Sequence, residues 1–242
     1  MIFLVLATAL LSASAASPKL AEKPTVAVLY FDYEGRSEEM GLLRKGLAQL
    51  LISDLSVNSN IQVIERARLQ DLLDELKLNQ SGSFDKATAN KVGRLLGAHY
   101  LVIGSYFDVL GTLRLDARAV ETETGRIVRS VGANGRPDDF LELEQKIATQ
   151  LGQALVEAAQ SREQSGKNAR QRQPVPGTGA PAPGTVPGRP KRLPAEVAIG
   201  YSKALDAIDR DDKEVARKTL ETVVRDQPDF QLASAELNRL LQ

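Results

Sequence analysis

The sequence predicts an α/β protein with an α+β-like mixed sheet, followed by a small all-α repeat at the carboxyl end. Three observations predict this. Residues 25–31 and 61–64 are apolar, β-prone runs, and each leads into a segment of helical periodicity. Residues 113–119 alternate apolar and polar side chains, which indicates an antiparallel strand covered on one face. Residues 194–242 show helical periodicity alone.

The first half of the sheet region alternates strands with helices. Residues 25–31 are apolar on both faces, as is typical of a central strand. Apolar residues recur at helical spacing from Glu38 to Val57, and residues 61–64 form a second, β-branched strand. Two more helices follow around a loop at residues 80–83.

The second half is a run of strands. Residues 100–109 are strongly β-prone, Gly111 makes a tight turn, and the alternating strand 113–119 follows. A second hairpin loop leads to a fifth strand at 126–133, and Pro137 opens a long amphipathic helix. The predicted order is therefore βαβααβββα.

The amino terminus is typical of an export signal. It has no charged side chain, an apolar run of about ten residues, and small residues at Ala13 and Ala15. A run this short does not span roughly 30 Å of hydrocarbon, which disfavours the alternative of an uncleaved anchor. We expect residues 1–16 to be a signal peptide and the mature chain to reside in the periplasm, peripheral at the outer membrane.

Cysteine is absent and the formal net charge is zero. The missing cysteine excludes disulfides, thiol nucleophiles, cysteine metal sites and a lipidated amino-terminal cysteine. The charge is unevenly distributed, because residues 165–193 carry six basic side chains and no acidic one. The rest of the chain is correspondingly acidic.

Composition divides the mature chain into three parts. We expect a sheet domain at 24–161, a basic Pro/Gly-rich linker at 162–193 and a tetratricopeptide-like helical repeat at 194–242. The linker is either a plain tether or a contact for anionic envelope surfaces. It lacks interleaved aromatic residues, which argues against nucleic-acid binding.

The carboxyl-terminal repeat is too small to bury a core by itself. It is therefore expected to dock on the sheet domain or on another chain. Tyr201 and Phe230 are its candidate interface residues, provided that their side chains are exposed. Gly200 and Lys203 depart from the usual repeat pattern, which has large apolar residues at those positions.

Residues 25–156 resemble the curli-secretion CsgG family and the related FlgO and TolB amino-terminal domains. The resemblance rests on the order and spacing of several short motifs. They are Val26-Ala27-Val28, Phe31, Gly46-Leu47, Val63-Ile64-Glu65-Arg66, Leu69, Leu73, Glu75, Gly82, Gly93, Leu95-Leu96-Gly97-Ala98, Gly104 and Glu123-Thr124-Gly125. The chain departs from the curli channels at Leu110-Gly111, where a bare turn replaces a long membrane hairpin.

Two clusters are candidate sites. Glu65, Arg66 and Arg68 lie at a strand-to-helix junction and form either a partner interface or a local ion pair at a helix start. The second cluster follows the first strand, where open α/β sheets bind ligands. It consists of Asp32, Glu34, Glu38 and Glu39. It is a candidate loop for a small ligand or Ca²⁺, although Glu38 and Glu39 also suit the start of a helix.

Catalytic and cofactor motifs are missing from the sequence. His99 is the only histidine, and no nucleophile motif accompanies it, so a structural role is expected. No phosphate-binding loop is present. We therefore expect no cofactor, no metal and no small-molecule substrate.

The sequence and the resemblance together favour a non-catalytic envelope adaptor or assembly factor that binds envelope proteins. The alternative is a soluble, ring-forming component of a curli-like secretion channel, which would self-associate through the sheet domain. An enzyme is a third hypothesis, and it would depend on Asp32, Glu34 or His99.

Overall fold

The computed structural model describes residues 23–78, 85–168, 190 and 192–242. Its strands are β1 Thr25–Val28, β2 Asp32–Tyr33, β3 Gln62–Val63, β4 Tyr100–Val109, β5 Thr112–Glu121 and β6 Ile127–Gly135. Its α-helices are α1 Glu38–Gly41, α2 Arg44–Ser56, α3 Arg66–Glu75, α4 Lys86–Leu95, α5 Phe140–Asn168, α6 Ala195–Asp209, α7 Lys213–Asp226 and α8 Gln231–Leu240. A 3₁₀ turn, Pro137–Asp139, precedes α5.

One mixed sheet organises the fold. Its strand order is β3-β1-β4-β5-β6, and β2 pairs separately with β4. β1 is parallel to both β3 and β4, whereas β4, β5 and β6 form an antiparallel meander. The register places Leu115 opposite Tyr106 and Ala119 opposite Val102, so the apolar side chains of β5 share the face that β4 buries. The predicted fold class is confirmed.

The region after β1 differs from the prediction in two ways. Asp32 and Tyr33 form an additional short strand along β4. The helix expected from Glu38 to Val57 is two helices, because α1 ends at Gly41, a residue of low helix propensity. The hydroxyl of Tyr106 donates to the carbonyl of Met40 at 2.7 Å, which holds α1 against the sheet.

The linker boundary also differs. Residues 162–168 continue α5 as helix, and Leu193 is fully buried. Arg192 Nη2 lies 3.3 Å from Asp138 Oδ2, just ahead of α5. The predicted signal peptide, the loop at 80–83 and most of the linker (169–189 and 191) lie outside the described residues, so the expected contact of the linker with anionic surfaces stays a prediction.

The carboxyl-terminal helices share the core of the sheet. α6 packs against α2, and the buried apolar residues of α6 and α8 belong to the same cluster as those of the strands. Tyr201 and Phe230 pack edge to face with ring centroids 4.9 Å apart, and both are fully buried. Because the apolar stripe of these helices faces the core, neither side chain is exposed. Tyr201 and Phe230 therefore do not meet the condition under which they were candidate interface residues.

The helices are amphipathic rather than apolar all round. Across the described ranges, none of them combines the length and the hydropathy that crossing a bilayer requires.

At Gly104 of β4, atoms of the neighbouring strand and of Phe31 lie closer than a Cβ atom would allow. Its replacement therefore tests the packing of the sheet. A Cβ there would lie 2.3 Å from the carbonyl oxygen of Asp116 and 2.4 Å from the ring of Phe31. We expect Gly104→Ala to lower the free energy of unfolding by about 3 kcal/mol, because the obstructing carbonyl belongs to the backbone and cannot turn aside. Urea unfolding measures the difference.

Gly41→Ala is the matched control. Its Cβ would meet only Tyr33, at an ordinary 3.5 Å, so we expect a change within about 1 kcal/mol. Equal losses in the two variants would contradict the packing described for Gly104.

Candidate functional site

A buried ionic cluster joins the sheet domain to the carboxyl-terminal helices. Asp209, at the end of α6, accepts two hydrogen bonds from Arg66 of α3, at 2.8 and 2.9 Å. Its Oδ2 also accepts one from Lys45 of α2, at 2.7 Å. The side chains of Arg66, Asp209 and Lys45 are only 5%, 7% and 9% exposed. Two cations therefore converge on one carboxylate from a distant part of the chain.

Tyr30 and Gln70 extend this cluster towards the sheet. Arg66 Nη1 donates to the Tyr30 hydroxyl at 3.2 Å, and that hydroxyl donates to Gln70 Oε1 at 2.8 Å. Burial raises the pKa of Tyr30 to about 12, although the charge of Arg66 opposes this effect. Tyr30 therefore stays neutral at physiological pH and serves as both donor and acceptor.

Arg66 is held in its charged form. Burial would lower the pKa of Arg66, but its hydrogen bonds to Asp209 and the nearby charge of that carboxylate raise the pKa above its ordinary value. The Nε of Arg66 is buried without a hydrogen-bond partner. A buried guanidinium is costly to desolvate, so the position of Arg66 depends on Asp209.

The start of α2 is incomplete without α6. Its first turn carries Arg44 and Lys45, contains no acidic residue, and has no side-chain cap. Basic residues are unfavourable at the positive end of a helix dipole. Asp206 and Asp209 of α6 both lie within 3 Å of Lys45 Nζ and offset this charge.

α6 also supplies the missing cap. The free backbone N–H of Gly46, in the first turn of α2, donates to the hydroxyl of Ser202 at 2.9 Å. The helices approach so closely here that a Cβ on Gly46 would lie 2.9 Å from the carbonyl oxygen of Ala198. These hydrogen bonds and ion pairs hold α6 in one position against α2 and α3. They therefore join the carboxyl-terminal helices to the sheet domain.

The structure separates the three residues predicted at the strand-to-helix junction. Arg66 points inward and pairs with Asp209, whereas Glu65 and Arg68 are exposed. Arg66 therefore joins two parts of the same chain, and its buried side chain does not reach an external partner. Glu65 precedes α3 without a side-chain capping hydrogen bond.

The acidic residues after β1 are spread over a strand, a loop and a short helix. Asp32 lies 3.5 Å from Arg44, whereas Glu34 and Glu38 are exposed. Ser37 caps α1 by accepting the N–H of Met40, and Glu38 lies in the first turn that follows. Within the ranges that the structure describes, no three His, Cys, Asp or Glu side chains are arranged to hold a metal ion.

His99 has a structural position at the start of the parallel strands. Its Nδ1 accepts the backbone N–H of Thr25 at 3.1 Å and lies 2.8 Å from the hydroxyl of the same residue. That hydroxyl contacts the carbonyl oxygen of Gly97 at 2.6 Å. Asp32 and Glu34 follow the opposite end of β1, so the structure does not bring them together with His99.

The sequence did not indicate the partners of Arg66, which are Asp209 and Tyr30, nor the contacts of Lys45 with Asp209 and of Gly46 with Ser202. One signal was present in the sequence. Helix α2 begins with the basic residues Arg44 and Lys45, and its first turn has neither an acidic residue nor a capping side chain. Such a helix start needs anions and an acceptor from elsewhere. No local pattern indicates that α6, more than 140 residues later in the chain, provides them.

Comparison with known proteins gives one family match. Residues 7–109 match the family model described as curli production assembly/transport component CsgG. A protein of Rhizobium meliloti (strain 1021) that is named as adenylate cyclase 3 is 27% identical over 140 residues, which are 57% of this chain. The match covers 22% of that protein, so the chain spans about a fifth of the length of this curated relative.

Several solved structures are similar over about half of the chain. The LpoB C-terminal domain from Salmonella enterica has a TM-score of 0.41 at 16% identity, covering 50% of this chain and 87% of that domain. Lipoprotein GNA1162 from Neisseria meningitidis has a TM-score of 0.38 at 16% identity, with coverages of 46% and 79%. The PelC dodecamer from Paraburkholderia phytofirmans gives 0.35 at 12% identity, with coverages of 57% and 91%. At such scores and identities, none of these likenesses bears on function.

The ionic cluster predicts unequal effects for two aspartates on α6. We expect Asp209→Asn to lower the free energy of unfolding by about 3 to 5 kcal/mol, because it leaves the buried Arg66 opposite a neutral group and Lys45 with only the partly exposed Asp206. Asp206→Asn should cost less than about 1 kcal/mol, because Asp206 is 41% exposed and its charge is screened by water. Urea unfolding monitored by circular dichroism measures both variants.

Hydrogen exchange locates the effect. Amides of α6–α8 should exchange faster in Asp209→Asn, with little change in β4 and β5. A loss no larger than that of Asp206→Asn would show that the cluster contributes little to holding the two parts together.

Proposed function

We propose that the chain is a non-catalytic adaptor or assembly factor of the bacterial envelope, exported to the periplasm, peripheral at the outer membrane, and bound to protein partners. The observation that supports this most directly is the match of residues 7–109 to the curli assembly and transport family. The predicted export signal agrees with the proposal, since it would deliver the chain to the compartment in which such assembly takes place.

The geometry suggests how an adaptor of this kind would work. α6–α8, which we propose to be a tetratricopeptide-like unit, are fastened to α2 and α3 through Asp209. A partner would therefore meet one preformed surface built from both parts, and little conformational entropy would be lost on binding.

The contacts of the enzyme candidates favour a non-catalytic role. His99 Nδ1 is engaged by the backbone of Thr25, and Asp32 lies beside Arg44. A catalytic role would require these groups to act on one substrate, and they lie at different ends of the parallel strands. The cyclase-named relative shares only a segment with this chain, so its activity is not carried over.

Cross-linking in the native envelope tests the adaptor proposal, and the structure decides which variants are informative. Truncation after Ser161 would be a poor choice, because it removes Asp209 and uncovers the buried Arg66 and Lys45. Charge-exchange pairs on the surface avoid this. Glu214 and Lys218 of α7 form an exposed pair at 2.8 Å, and Arg114 and Asp116 of β5 form another at 2.7 Å.

We expect one of two double variants, Glu214→Lys with Lys218→Glu or Arg114→Asp with Asp116→Arg, to lose a specific envelope protein from the cross-linked products. Each exchange keeps the ion pair and the net charge, so the melting temperature should change by less than a few degrees. The other variant then serves as the matched control. Mass spectrometry of the cross-linked products identifies the partner.

The alternative of a ring-forming secretion component predicts a different result. Cross-linking would then give a discrete species of high mass that contains only this chain, and neither exchange would release another protein. That outcome would contradict the adaptor and favour the ring. Recovery of no specific envelope protein by the unaltered chain, with no such species, would contradict both.

A further inference from the structure

The strand β6 is an open edge of the sheet. It is nine residues long, stands last in the strand order and pairs only with β5. No backbone hydrogen bond reaches its outer side from any other described residue. Arg129 and Ser130 point to opposite faces of the sheet and are nevertheless both exposed, which agrees with an uncovered edge.

This edge is poorly protected against pairing. Natural sheets block an edge by keeping it short, by placing proline or lysine on it, or by introducing a bulge. The other edge, β3, is only two residues long. β6 contains neither proline nor lysine, and its single charged residue is Arg129. β6 does carry a bulge at its start, because Ala119 pairs with Arg129 and Val120 with Ile127, which leaves Val128 as an extra residue. From Arg129 to Gly135 the pairing with β5 is regular, so this longer part of the edge has no such block.

The sequence of β6 suits a second copy of itself. The strand reads IVRSVGANG, so larger residues precede Val131 and mostly small ones follow it. An antiparallel pair about a two-fold axis at Val131 would place Arg129 opposite Ala133 and Ser130 opposite Gly132. Parallel pairing in register would instead stack each large residue on its own copy.

Charge and packing favour the same register. The two Arg129 residues would lie four residues apart along the strands, about 13 Å, so they would not repel each other closely. Val131 and Ala133 already point into the core beside α5. Val131 of the second copy would meet Val131 on this face at the axis, and the small Ala133 would leave room for Arg129 of the other copy.

We propose that β6 is a homodimer interface, in which two copies of the chain join their sheets through antiparallel β6–β6 pairing. A pairing of this kind uses the same surface on both partners and closes at two subunits. It therefore adds a defined self-association to the adaptor and does not build a ring. The proposal does not depend on the identity of any envelope partner.

The absence of cysteine allows a site-specific test. The two Ser130 side chains would lie on one face at diagonal positions, about 7 to 8 Å apart. We expect purified Ser130→Cys to give a covalent dimer with a bismaleimide linker of about 8 Å, at micromolar protein concentration. Thr222→Cys, on the exposed face of α7, is the matched control and should stay monomeric under the same treatment.

Analytical ultracentrifugation supplies the second measurement. The unaltered chain should show a monomer–dimer equilibrium, and Ser130→Lys should weaken the dimer at least tenfold, because it places two like charges beside the axis. Its melting temperature should not change, since Ser130 is exposed.

Either of two results would overturn the proposal. One is a purely monomeric chain at several hundred micromolar. The other is a dimer that Ser130→Lys does not weaken and that Ser130→Cys does not trap. Both results would leave the partner capture measured in the envelope unaffected.

Discussion

The pairing of Asp209 with Arg66 and Lys45 is the interaction on which the rest of this structure depends. Two cations from neighbouring helices would be costly to bury alone; Asp209 of α6 pairs with both, and Asp206 adds a second carboxylate at Lys45. The same contact brings Ser202 to the uncapped start of α2. Burial of the apolar stripe of α6 supplies the larger part of the stabilisation, while the ionic cluster sets the position at which α6 docks.

This arrangement changes how the two parts of the chain are understood. A helical unit after a Pro/Gly-rich stretch suggests a mobile module, yet Tyr201, Phe230 and Leu193 are buried in the core that the sheet also uses. The side chains left for recognition are on the outer faces of α7 and α8, the open face of β5 and the edge of β6. These surfaces are held in a fixed relation to one another, which suits the proposed adaptor because little conformational entropy would be lost when a partner binds.

Much of the fold was predictable because the signals are local. β5 alternates apolar and polar side chains, and Leu113, Leu115, Ala117 and Ala119 are buried as that pattern requires. The apolar periodicity failed in finer detail. It runs unbroken through residues 38–57, yet α1 ends at Gly41, a residue of low helix propensity, where Tyr106 holds the carbonyl of Met40. Arg66 was a candidate from its place at the strand-to-helix junction, but its partner lies 143 residues away and no spacing rule reaches that far.

The sequence by itself determined the mixed α/β class, most of the strands and helices and the lack of any disulfide, because periodicity, turn residues and composition act over short distances. Only the tertiary structure decided that α6 completes α2, that Arg66 faces inward and that β6 is left as an open edge. Those outcomes depend on which surfaces meet when distant segments pack. The energy of a buried charge or an uncapped helix end is settled only by what the fold places beside it.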